Sequence, residues 1–197
     1  MNKLELLKAS INKAIQNNDT KFIEDLIDLL SIDILENMED EWEYLLRGLY
    51  EYCKSDYEKA KYFANMAYSK GIRQAQIILD LIESSNLFQN VPDENKILSF
   101  IIKKSDDIFI MTFTILRYYR YLLEMNKSNP EVTILKLINS SIEIYPQIDN
   151  LYILKAYIMY EIFKYNIDTD FIEKTSKILQ AESREMLMQI ISRNEKY

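Results

Sequence analysis

The chain has 197 residues, nearly half of them hydrophobic, with only two glycines and three prolines; β architectures use both freely in turns, so helices with short polar connections are expected. A net charge of −7 and a pI near 4.8 repel phosphate backbones and remove the counterion release that drives non-specific nucleic-acid binding, so no nucleic acid is expected as a ligand. Histidine is absent, which excludes Ser-His-Asp and Cys-His nucleophile pairs, most zinc sites and histidine-dependent helical ribonucleases.

In chain order, Leu4, Leu7, Ile11, Ala14 and Ile15 form one stripe over residues 2–17, the spacing of an amphipathic helix. Thr20 then reads as the N-cap of a second helix that carries Phe22, Ile23, Leu26, Ile27 and Leu30 inward. Residues 1–35 therefore read as a helical hairpin. The opening M-N-K-L-E-L-L-K is interrupted by charged and polar residues and lacks a secretory pattern. The longest apolar stretch, Ile108 to Leu116, is too short to span a bilayer. A soluble, cytoplasmic protein with no membrane partner is expected.

Glu36 to Glu43, E-N-M-E-D-E-W-E, sets a run of carboxylates before a periodic helix carrying Trp42, Leu45, Leu46, Leu49 and Tyr52. Clustered acids can hold a divalent cation or share a proton, which keeps a carboxylate- or metal-dependent enzyme as an alternative. The run lacks the alternating Asp/Asn spacing and the glycine of a calcium loop, however, and acids collect at helix starts because the macrodipole favours them there. A solvated helix start is the preferred reading, with no metal and no catalytic residue assigned. Cys53, the only cysteine, continues the apolar series and reads as a core residue, and a single cysteine permits no intrachain disulfide. Gly48 and Gly71 stand alone, so no phosphate-binding loop exists and no cofactor is expected.

Ser55 precedes Glu58 by three, the spacing of a capping box, and opens a helix in which Ala60, Ala64 and Ala67 share one smooth face. Gly71 closes it, being free to take the left-handed conformation. The pattern D-Y-E-K-A at Asp56 to Ala60, an aromatic at Phe63, Ala67 and Gly71 seven and eleven residues after Ala60, and Ala75-Gln76 beyond resembles the Sel-like branch of the tetratricopeptide-repeat superfamily. Gly48, twelve before Ala60, falls where the small residue of the repeat's first helix sits. Arg47 stands where that pattern has leucine, and Glu51 where it has an aromatic.

Ala75, Ile78, Leu79 and Ile82 continue as a first helix of the next unit, and Pro92 marks another helix start before Ile97, Leu98, Ile101 and Ile102. Asp107 to Asn126 is the most apolar helix, with inward candidates around most of its circumference, so it is expected to be covered on several sides. It also carries R-Y-Y-R-Y, Arg117 to Tyr121, an arrangement that single-stranded nucleic-acid binders use; arginine packed on tyrosine within a repeat groove is the preferred reading on an acidic chain. Asn129-Pro130-Glu131 gives an N-cap followed by proline at the first helical position. Pro146, followed by L-Y-I-L-K-A-Y-I-M-Y at Leu151 to Tyr160 with Ala156 as its small residue, resembles a fainter repeat boundary. It lies 75 residues after Gly71, close to two periods of mid-thirties length. Asp170, three before Glu173, reads as the cap of a further helix, and Met186, Leu187, Ile190 and Ile191 mark the last one.

The resemblance implies an all-α fold: a right-handed α-solenoid of about ten to eleven antiparallel helices, a tetratricopeptide/Sel-like repeat stack. Residues 1–197 would form a single helical-repeat domain, with the hairpin at 1–35, the stack at 36–165 and capping helices at 166–197. It also implies a non-enzymatic module that binds a protein or peptide along its first helices. The contact candidates are Trp42, Arg47 and Tyr50, then Arg117 and Tyr121, then Tyr152 and Lys155. The acidic composition suits a basic partner, and the excess of Ile, Lys and Asn suggests an AT-rich bacterial genome, so an immunity protein or antitoxin against a basic toxin, or a secretion chaperone, is expected within this class.

Overall fold

The computed structural model describes residues 42–194. The predicted hairpin, the Thr20 cap and the acidic run up to Glu41 lie outside the described residues, as does the side chain of Cys53. Among the described residues the chain is all-α, as expected, with nine α-helices, one π-helical segment and no strand. It divides into two compact units at Gln89/Asn90.

The first unit contains α1 (Trp42–Cys53), α2 (Tyr57–Ser69) and α3 (Ala75–Asn86). Leu45, Leu46 and Leu49 of α1 pack on Ala60, Ala64 and Ala67 of α2 and on Ile78 and Ile82 of α3, all of them buried. The alanine face does what its spacing predicts, because without bulk it lets α1 come close. Gly48 sits at the crossing: a Cβ there would lie 2.9 Å from Ile78 Cδ1 and 3.4 Å from both the Ala60 carbonyl oxygen and the Ala64 nitrogen.

The turn between α1 and α2 differs from the capping-box reading. Ser55 does not cap α2; it adopts a left-handed φ of 62° and ends α1, with its N–H donating to Tyr52 O and that of Asp56 to Glu51 O. The cap falls one residue later, where Asp56 Oδ1 accepts from Lys59 N at 3.2 Å. Glycine was free to take this turn position and serine was used. Ser55→Gly is therefore expected to raise stability by about 0.5–1 kcal/mol, read as a higher urea midpoint, because the Cβ penalty of the left-handed region disappears. No gain, or a loss, would show that the turn holds no such strain. Gly71, at φ 89°, ends α2 by the same pattern of bonds, from Gly71 N to Tyr68 O and from Ile72 N to Ala67 O.

The second unit contains α4 (Glu94–Lys103), α5 (Ile108–Glu124), α6 (Pro130–Ile144), α7 (Asp149–Ala156), a π-helical segment (Tyr157–Ile162), α8 (Thr169–Ile178) and α9 (Ala181–Asn194). Helix α5 buries Phe109, Ile110, Met111, Thr112, Thr114, Ile115, Tyr118 and Leu122, and it packs against α4, α6 and α7. A helix apolar nearly all round is thus covered on several sides. Three helix starts differ in detail from the sequence signals. Pro92 lies before the helix, and Asp93 is the cap of α4, accepting from Asn95 N at 2.9 Å. Pro130 occupies the first turn of α6 as predicted, but Asn129 is left-handed at φ 53° and makes no side-chain cap bond. Asp168 rather than Asp170 caps α8, accepting from Phe171 N at 3.0 Å. In each case more than one polar residue precedes the apolar run, and local spacing alone does not choose between them.

The run Leu151 to Tyr160 buries all but three of its residues, and it begins as α7 and finishes as the π segment. Its wider turn is visible in the bonds from Phe163 N to Ile158 O and from Tyr165 N to Met159 O, after which Lys164 reverses the chain at φ 55°.

Candidate binding surfaces

On the first unit, half-buried aromatic rings and basic side chains interleave along α1 and α2. Arg47 Nη2 pairs with Glu43 Oε1 at 2.6 Å, one turn back, and its guanidinium carbon lies 5.9 Å from the Phe63 ring centre. Phe63 touches Tyr44 at 6.5 Å and Tyr62 at 5.4 Å, the latter edge-on and 60% exposed. Lys70 Nζ sits 5.2 Å over Tyr44, and Lys54 Nζ sits 4.3 Å over Tyr50. Lys54 and Lys70 rest on a π face while keeping their charge in water, whereas Arg47 is half-buried with its Nε shut off from solvent; the lysines present flat contact area and hydrogen-bond donors together. Trp42 packs half-buried against the edge of the same core. Arg47 therefore fills a place where the resembling pattern has leucine by lying along a ring.

In the second unit, the R-Y-Y-R-Y stretch separates into different roles. Tyr118 is buried and donates to Glu94 Oε1 at 2.6 Å, so burial first, and then the Glu94 carboxylate, hold its phenol well above the ordinary tyrosine range. Tyr121, half-buried, stacks on it at 6.5 Å and 14°. Arg117 lies over Phe113 at 5.5 Å, because one helical turn brings position 113 beneath it. Arg120 is exposed.

Tyr152 is only 9% exposed, inside the cluster that α7, the π segment and α9 share, and its hydroxyl donates to Pro146 O at 3.2 Å. Lys155 is half-buried with its Nζ 4.7 Å from the Phe171 ring centre; burial pulls its ammonium below the ordinary lysine range, partly offset by the charge of Asp168. The seven residues chosen from sequence thus fall three in the first unit and four in the second. Arg47 joins the cluster of Phe63, Tyr44 and Lys70, and Tyr50, one turn further along α1, pairs with Lys54.

Two features escaped sequence reasoning. Tyr44, Phe63 and Lys70 complete the face of the first unit, and their spacing at 44, 63 and 70 becomes adjacency only through the α1–α2 crossing. In the second unit Tyr165 donates from its hydroxyl to Glu131 Oε2 at 2.9 Å, while Phe163 lies 5.0 Å from Tyr119 and 5.7 Å from Tyr165, ring centre to ring centre. Burial, and then the charge and hydrogen bonding of Glu131, push the Tyr119 phenol up; the hydrogen bond to Glu131 is the first cause of the same shift at Tyr165. An open groove of about 740 Å³ also lies along α8 and α9, lined by Ile172, Ser176, Arg184, Met188 and Ile191 among others. Its cations are engaged: Lys177 pairs with Glu173 at 2.7 Å, and Arg184 Nη2 donates to Leu179 O at 3.1 Å.

Of the predicted acidic run only Glu43 lies among the residues with a described side chain, and it is the partner of Arg47. The described residues contain no group of three acidic or cysteine side chains placed to hold a metal ion, and no helix long and apolar enough to cross a membrane. Comparison of the chain with protein-family profiles, curated proteins and solved structures returned no match.

Proposed function

We propose that this chain is a non-enzymatic protein- or peptide-binding helical module whose first unit is a Sel-like repeat of the tetratricopeptide-repeat type. The observation that carries the reading is the face of Tyr44, Arg47, Tyr50, Phe63 and Lys70, where rings and cations alternate on two helices locked by the Gly48 crossing. Half-exposed aromatics and arginine on a rigid scaffold are the groups that anchor protein contacts. The close α1–α2 packing supports the repeat, since the small residues Gly48, Ala60, Ala64 and Ala67 all lie at that crossing. A solenoid stack would extend the same packing to further helix pairs.

Within this class an immunity protein, an antitoxin or a secretion chaperone fits the net charge of −7, which favours a basic partner. The test is affinity capture with the whole chain as bait, beside Tyr50→Ala and Arg47→Ala variants whose folding is first matched to the parent by circular dichroism. The parent should retain a defined protein, and each variant should retain on the order of tenfold less, the effect of losing one anchor. If instead no protein is retained while magnesium, manganese or calcium raises the melting temperature, the carboxylate- or metal-dependent enzyme becomes the better account.

A further inference from the structure

The cluster of Tyr119, Glu131, Phe163 and Tyr165 brings together groups from three places in the second unit: α5, the first turn of α6, and the strand of chain leaving the π segment. Glu131 accounts for itself in part as an acid in a helix's first turn, where the macrodipole favours it. That does not account for the Tyr165 phenol that donates to it, for the Tyr119 phenol beside it, or for the Phe163 ring that both tyrosines contact. The Tyr119 and Tyr165 rings meet Phe163 at 55° and 46°, tilted rather than stacked flat. All four side chains keep solvent access.

Charge is the deciding feature. Glu131 accepts from the Tyr165 hydroxyl with the Tyr119 phenol beside it, both neutral, and forms no salt bridge with any described basic residue, although Lys164 lies next in sequence to both Phe163 and Tyr165. Lys164, at a left-handed φ of 55°, pairs instead with Glu161 Oε2 at 3.6 Å. The carboxylate is thus held by neutral phenols that leave its charge uncompensated. Each carboxylate oxygen has two acceptor positions, so Tyr165 and Tyr119 together still leave room for more donors.

We propose that Tyr119, Glu131, Phe163 and Tyr165 form a receptor for an arginine side chain of a basic partner, with the guanidinium lying on the aromatic rings and donating to the Glu131 carboxylate. A planar guanidinium stacks on rings and meets a carboxylate with two parallel donors, whereas a lysine ammonium is a compact, strongly hydrated point charge. Burial of the cation against rings strengthens the ion pair over an exposed one. This rests on the reading of the chain as a binding module and assigns that module a basic partner.

The test is a titration of the full chain, carrying carbon-13-labelled tyrosine and phenylalanine rings, with the peptide acetyl-Gly-Gly-Arg-Gly-Gly-amide. The control peptide has citrulline, the neutral isostere, in place of arginine. Saturable shifts of the Tyr119, Tyr165 and Phe163 ring signals by the arginine peptide are expected. They should be weakened on the order of tenfold by Glu131→Gln and again by Phe163→Leu, which keeps bulk and removes the π face. Glu131→Gln retains an acceptor for Tyr165, and unchanged ring signals in its free form would confirm that the cluster is intact. Shifts of equal size with citrulline, or equal affinity in Glu131→Gln, would overturn the proposal, as would ring signals that do not move. If affinity capture still retains a protein partner when the peptide leaves these rings unmoved, the binding module stands and only this site is lost.

Discussion

Ala64→Leu should destabilise the first unit by more than about 3 kcal/mol, the upper end of what overpacking ordinarily costs. Ala64 is fully buried, and its backbone nitrogen already stands 3.4 Å from the place a side chain on Gly48 would occupy. Ile78 Cδ1 fills the remaining space at 2.9 Å from that point. Three added carbons have no void to enter, so α1 and α2 must separate, and separation exposes Leu45, Leu46 and Leu49 together. Trp42, the single tryptophan, packs at the edge of this core and reports its loss by fluorescence during urea unfolding. Asn65→Leu is the control: it adds a comparable side chain at the next, exposed position of α2 and should leave the midpoint nearly unchanged. Equal stability of Ala64→Leu and Asn65→Leu would mean that the crossing is loose, and the repeat proposal would lose its main support.

That crossing is also where the sequence was most informative. Small residues at 48, 60, 64 and 67 have one economical use, close approach of helices, and spacing alone places three of them on one face. The apolar circumference of α5 was legible for the same reason, because periodicity reports burial directly. Helix caps were less legible. Ser55, Pro92 and Asp170 are each good capping or starting residues, yet Asp56, Asp93 and Asp168 do the capping. The choice depends on how the preceding helix ends; at Asp56 the left-handed Ser55 decides it, and no local residue preference encodes that geometry.

The ring-and-cation face proposed as a contact surface was legible only where it lies along one helix. Arg47 and Tyr50 are neighbours by their spacing on α1, whereas Tyr44 reaches Phe63 and Lys70 through a tertiary contact. The Glu131 cluster was hidden more deeply. Its members are spread from 119 to 165, and the chain reversal at Lys164 that delivers Tyr165 follows a π-helical segment that hydrophobic periodicity reads as ordinary helix. The buried run from Leu151 to Tyr160 reads the same in either geometry. What distinguishes them is the direction in which the chain leaves.

Tyr160 ties the chain beyond that exit back to the core through Asp168, and replacing it should have the largest effect in the second unit. Tyr160 is fully buried, its ring meets Phe171 at 6.5 Å and 60°, and its neighbours include Tyr152, Ile153, Leu187 and Ile191. Tyr160→Ala should cost about 3–5 kcal/mol, the range for emptying an aromatic site that cannot collapse. The hydroxyl has a separate role. It accepts from the N–H of Asp168 at 3.2 Å, and Asp168 in turn accepts from Phe171 N, so one phenol positions the residue that caps α8. Tyr160→Phe keeps the ring and removes that acceptor, and should cost only about 1 kcal/mol in global stability. Its mark should be local: amide exchange at Asp168 and Phe171 is expected to quicken on the order of tenfold, with α4 and α5 following only the small global change. Equal exchange at those two amides in Tyr160→Phe would mean that Asp168 holds the start of α8 unaided, and the phenol would then be a ring in the core with no part in setting where the chain goes next.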